Sequence, residues 1–187
     1  MDAFSYLSVL LSVILGLAIQ QVLLGYRALA LARGNIRWYA PPLIWSALVI
    51  LLVVQHWWAM FALATRTEWS FAQFGAALVQ TALFYMMAAI VLPDVRQEGA
   101  TDLREHYYRE APLFFGVSAA VLGWNLLVRE YLLFGELPGT LNLSFQLFFL
   151  ALSFTAMAVK RPRFHEIMSG VTIVLLTAYI ALLFGRL

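Results

Sequence analysis

The chain contains no cysteine. Thiol nucleophiles, disulfide relays, thiolate metal sites and CxxC redox chemistry are therefore excluded. Charge is also scarce. Asp, Glu, Lys and Arg make up 12% of the 187 residues, where a soluble domain carries about 25%. The formal net charge is only +2, and no dense basic face appears, so nucleic acid is not an expected partner. The sequence has no GxSxG elbow, no P-loop, no GxGxxG and no HExxH.

What the chain has in abundance is apolar residues. They account for 63% of the sequence, and mean hydropathy is +0.84. Such a chain has too little polar surface to coat a water-facing globule, which makes a lipid bilayer its expected solvent. A bilayer core needs about 20 apolar residues per helix. Six runs qualify, at residues 4–26, 43–63, 71–92, 113–134, 139–159 and 165–184. The expected fold is an all-α integral membrane protein: one compact bundle of six transmembrane helices covering residues 1–187. Six spans can also form two inverted sets of three. The echo of "VILG" ending at Gly16 in "AVLG" ending at Gly123 is a faint sign of that.

Basic residues set the expected orientation. Arg27, Arg33, Arg37, Arg96, Arg104, Arg109, Lys160, Arg161 and Arg163 fall at one end, and Arg66, Arg129 and Arg186 at the other. Nine against three makes the first end cytoplasmic and puts both termini outside, as in a bacterial inner-membrane protein. The first span lacks a basic start and is too long for a signal-peptide core.

Within the apolar runs, polar residues recur at similar depth. Gln55 and His56 lie in the second span, Gln80 in the third, Asn125 in the fourth, Gln146 in the fifth and Thr172 in the sixth. In hydrocarbon each needs a partner or water. Helical spacing adds Gln73 to the Gln80 face, Ser118 and Arg129 to the Asn125 face, and Asn142 and Ser153 to the Gln146 face. Two readings compete: a wet path, or dry helix-to-helix hydrogen bonds. His56 is the one titratable group expected near the midplane, a position where ionisable residues are functional candidates. Arg129 could guard an outer vestibule, or with Glu130 reach toward the interface. In the first span, Ser8, Ser12, Gly16 and Gln20 recur every four residues. They predict a close helix contact, within the bundle or between copies in a homo-oligomer.

The segment "PDVRQEGATDLREHYYREAP" alone has surface-like composition. Asp102 and Glu105 read as a capping box, Glu105 and Arg109 as an i,i+4 pair, and Pro112 as the start of the fourth span. This predicts a short cytoplasmic interfacial helix before that span. Asp102, His106 and Glu110 share one of its faces and form a weak candidate metal site, with His165 or Glu166 as further ligands. No haem or other cofactor is expected, since His106 and His165 sit at the cytoplasmic end, away from the depth of His56. Three functions follow in order: a channel or transporter for a small solute or ion; a membrane subunit docking a cytoplasmic protein through residues 93–112 and 160–163; and a membrane-surface metalloenzyme.

Overall fold

The computed structural model describes residues 3–95 and 100–183, with the side chains of Ala3 and Arg129 outside the described set. Arg96 and Arg186 of the charge pattern fall outside it too. The described chain is almost entirely helical. The helices are α1 (Ala3–Leu31), α2 (Ala40–Ala59), α3 (Phe71–Val91), α4 (Leu103–Trp124), α5 (Glu130–Phe134), α6 (Thr140–Ala158) and α7 (Pro162–Leu183). A π-helical segment, Asn125–Arg129, joins α4 to α5 into one rod. That makes six rods long and apolar enough to cross a membrane, the pattern of a polytopic membrane protein.

Local chemistry explains where these helices begin and end. Pro41 and Pro42 open α2, where missing N–H groups cost nothing. Ser70 and Gln73 form a full capping box at α3. The Asp102 carboxylate caps α4 by accepting from the N–H groups of Arg104 and Glu105, at 2.9 and 3.1 Å. At the far end of the rod, Gly135 takes φ +77° and stops α5. The last carbonyls of α5 are claimed by side chains: Arg66 donates to the Leu133 oxygen and Gln73 to that of Leu132.

Five rods close into a ring in the order α2, α3, α4–α5, α6, α7, with α7 returning to α2. The α6–α7 seam is the sparsest contact of the ring. The remaining helix, α1, lies outside and packs mainly on α3. Its inward stripe is Leu11, Leu15, Ala18, Val22 and Leu29, all nearly inaccessible. Gly25 belongs to the same contact: a Cβ there would sit 2.8 Å from Leu92 Cδ1.

Three expectations are corrected. The interfacial helix and the fourth span are one helix: α4 runs through Pro112 without a break. Leu103, Tyr107, Ala111, Phe114 and Phe115 are all buried in the core, so packing holds the proline turn in line. The face of Ser8, Ser12, Gly16 and Gln20 does not make the main contact with α3, although Ser12 accepts from the Trp57 indole of α2 at 3.2 Å. Ser12, Gly16 and Gln20 are exposed, Ser8 bonds back to Ser5, and nothing lies within 4 Å of a Cβ built on Gly16. Larger apolar residues on the adjacent face bury more area, and they take the contact. Finally, the helix packing does not repeat between halves. α4 stands in the ring, whereas α1 stands outside it.

At the basic end, Ile36–Arg37 and Thr101–Asp102 form a two-residue parallel pairing. Arg37 lies 3.6 Å from the Asp102 carboxylate. The Glu105 N–H foremost, then the Arg104 N–H and the Arg37 guanidinium, hold the Asp102 carboxyl below its ordinary range. A depressed carboxyl stabilises the fold above its unfolded pKa, and the effect fades as pH falls through the folded value. Asp102→Ala should therefore lower the melting temperature at neutral pH, with a gap to the native chain that narrows on acidification through the carboxylate range. Gly25→Val should cost about 1–3 kcal/mol by overpacking against Leu92, read by thermal unfolding in detergent. A Gly25→Val protein of native stability would show that α1 does not approach α3 this closely.

Candidate functional site

The ring encloses a cavity of about 310 Å³. Sites for small molecules typically span about 300–1,000 Å³. Its walls come from α2, α3, α4–α5, α6 and α7, and none of the described lining residues belongs to α1. On α2 the wall runs from Trp45 to Ala59, which at about 1.5 Å per residue is about 21 Å of depth, and Ala62 continues it just beyond the helix. At the Ala62 end the lining reaches the exposed residues Ala62 and Phe134. The other end is closed by rings: Trp45 meets Phe114 and Phe115 edge-on, at 5.5 and 5.1 Å.

All five residues expected from spacing to line a path do line this cavity: Gln55, His56, Gln80, Asn125 and Gln146. Thr172 joins them. His56, Gln80, Gln146 and Thr172 are buried, and Gln55 and Asn125 are half-buried. His56 lies 4.9 Å from Phe84, ring centre to ring centre. The Arg129 side chain lies outside the described residues, and its expected place at the vestibule stays an expectation.

Four of the wall's polar side chains form one hydrogen-bonded chain across the α4–α5 rod, α6 and α7. Asn125 donates its amide to Gln146 Oε1 at 2.8 Å. Gln146 donates to Asn142 Oδ1 at 2.9 Å. The Tyr179 hydroxyl donates to the same Asn142 oxygen at 2.9 Å. Asn125 also reaches Glu130 Oε1 at 3.4 Å. The wall is thus neither purely glue nor purely wet. The α4–α6–α7 side satisfies itself, while Gln80 Oε1 and Thr172 Oγ1 are buried with no hydrogen-bond partner. Such orphans are rare and call for an explanation.

Sequence reasoning missed Glu130, Asn142 and Tyr179 as one group with Asn125. Glu130 was expected to reach out to the interface, yet it lines the cavity. The π-helical turn is the reason. Five residues along an α-helix place a side chain about 140° away from its start, whereas a π-turn closes at i+5. That brings Glu130 under Asn125. Apolar composition carries no signal for such a turn. Asn142 and Tyr179 did carry a signal: each sits on a polar stripe with Gln146 or Thr172.

The second candidate site does not assemble. Asp102 caps α4, His106 Nε2 bonds the Ile90 carbonyl at 3.1 Å, and Glu110 pairs with Arg109 at 2.8 Å. That last pair replaces the expected Glu105–Arg109 contact. His165 is buried, taking the Tyr107 hydroxyl on Nδ1 at 2.9 Å and the Val159 carbonyl on Nε2 at 2.6 Å. The Val159 bond fixes the proton on Nε2, so Tyr107 donates to Nδ1. Among the described residues no group of three His, Asp or Glu side chains is placed to hold a metal. Close by, the Tyr39 and Tyr108 hydroxyls meet at 3.0 Å. Desolvation first, then that bond, holds the Tyr39 phenol above its ordinary range.

Compared with protein-family models, curated proteins and solved structures, the chain matches none.

The amide chain gives a direct test. A double-mutant cycle of Asn125→Ala and Gln146→Ala should return a coupling energy of about 0.6 kcal/mol, up to about 1.7, the range of hydrogen bonds between membrane helices. A coupling indistinguishable from zero would remove the Asn125–Gln146 bond from the description.

Proposed function

We propose that the chain is a membrane-embedded carrier that binds a small solute in the cavity ringed by α2, α3, α4–α5, α6 and α7. The observation that carries this reading is the convergence of polar side chains from five different rods on one cavity, in a chain otherwise poor in polar groups. Packing alone has no need to gather them. The unpartnered Gln80 and Thr172 atoms support the same reading, because a bound solute or water relieves their desolvation cost.

The shape favours binding and release over free conduction. The aromatic closure at Trp45, Phe114 and Phe115 interrupts any continuous pore. If the basic end is cytoplasmic, this conformation is open toward the outside. Gln80 and His56 then belong to the solute's binding surface rather than to a pore lining. His56 is the one imidazole among the described lining residues.

Reconstituted protein should move solute or protons across the vesicle membrane, with a rate that changes between pH 5 and 8. His56→Leu should flatten that pH dependence. Gln80→Leu should slow flux about tenfold, the worth of one hydrogen bond of ~1.4 kcal/mol. Flux untouched by both substitutions would sink the carrier reading.

A further inference from the structure

We infer that the solute is an amphiphile, with an apolar tail seated at the closed end and a hydrogen-bonding head at the level of the amide chain. This rests on the cavity being a solute site, and adds the solute's chemical class.

The inference comes from how polarity is distributed with depth. The two ends of the bundle are fixed by contacts. Trp45 of α2 meets Phe114 and Phe115 of α4 at the basic end. Arg66, just beyond α2, meets Leu133 of α5 at the other. Between these landmarks the lining divides. Gln55, Gln80, Asn125, Glu130, Asn142 and Gln146 occupy the half toward the open end. The closed half is walled by Trp45, Leu52, Met87, Phe115 and Leu152.

Three hydroxyls do occur in the closed half, and two of them are already spent. Ser118 donates to the Phe114 carbonyl and Ser153 to the Phe149 carbonyl, each at 2.9 Å on its own helix. Thr172 Oγ1 has no partner there, and the Trp45 indole N–H is likewise buried without one. One hydroxyl and one indole N–H cannot replace the water shell of an ion or of a sugar, and stripping polar groups without replacement is costly. An apolar tail faces no such cost. It gains by leaving water, and it meets aromatic and branched walls. The head then lies among amides that can both donate and accept. A uniformly polar solute would leave the closed half empty, and a uniformly apolar one would leave Gln80 Oε1 unrelieved. Only a molecule with both parts matches both halves.

The test uses two photoreactive medium-chain alkanols. One carries a diazirine at the tail end, the other next to the hydroxyl. Each is incubated with the full-length protein in lipid nanodiscs, irradiated, and mapped by mass spectrometry. The tail probe is expected to label around Trp45, Met87 and Phe115. The head probe is expected to label around Asn125 and Gln146. Leu52→Trp, which fills the closed half, should cut tail labelling about tenfold, equivalent to ~1.4 kcal/mol. Labelling of the outward α1 residues Leu17 and Leu24 should stay constant. That constancy, with an unchanged melting transition, shows that the variant is folded. Met87→Phe serves as the second closed-half variant if Leu52→Trp does not fold.

Labels confined to α1, or heads and tails in reversed places, would overturn the amphiphile. If flux of a small polar solute still depended on Gln80, the carrier reading would survive that result. Labels in the expected places without any flux would support the amphiphile and overturn transport instead.

Discussion

The bond between Asn125 and Gln146 is the joint on which the rest of the interior depends. It ties α4 to α6 by side chains at mid-length, and α6 passes the constraint to α7 through Asn142 and Tyr179. This matters because α6 and α7 meet along the sparsest seam of the ring. Where apolar contact is thin, directional bonds hold the helices in register. The same chain also shapes what this wall offers to the proposed solute. Amide groups already engaged with one another form a pre-organised surface and need no rearrangement to stay satisfied.

The π-helical turn at Asn125–Arg129 determines which residues share that surface. It shifts the face of the fourth rod by one residue, so Glu130 comes under Asn125 and lines the cavity. Such turns interrupt the regular bond ladder at a cost, and they recur at functional sites. Here the interruption coincides with the depth at which α4 turns from an apolar wall, at Phe115 and Val121, to a polar one.

Much of this was readable in the sequence. The six rods follow from run length, because a helix crossing hydrocarbon must be both long and apolar. The common depth of Gln55, His56, Gln80, Asn125 and Gln146 follows from counting residues along each run. What could not be read was lateral arrangement. Nothing in the spacing of Ser8, Ser12, Gly16 and Gln20 says that Leu11, Leu15 and Val22, on the adjacent face, would bury more area and take the contact with α3. Nor does proline chemistry show that Pro112 would stay inside a helix, since that depends on neighbours brought from other rods. The rule that failed in each case was local, and the force that overrode it was packing at a distance in sequence.

The position of α1 sharpens the functional reading. An outer helix that lines no part of the cavity can keep its own polar residues away from the proposed solute. Gln20 and Ser12 are exposed on its outward side, and Ser12 accepts from the indole of Trp57 at 3.2 Å. Gln20 is therefore neither path nor internal glue. The chain uses polar side chains in two separate ways, one inside the ring and one on its periphery. Only the inner set is organised by depth. A set assembled merely to bind helices together would be expected wherever helices touch, including the extensive α1–α3 contact. That contact instead rests on Leu, Ala, Val and Gly. The polar residues are concentrated where the ring is hollow, and this distribution, more than any one hydrogen bond, supports the proposed solute site over structural glue.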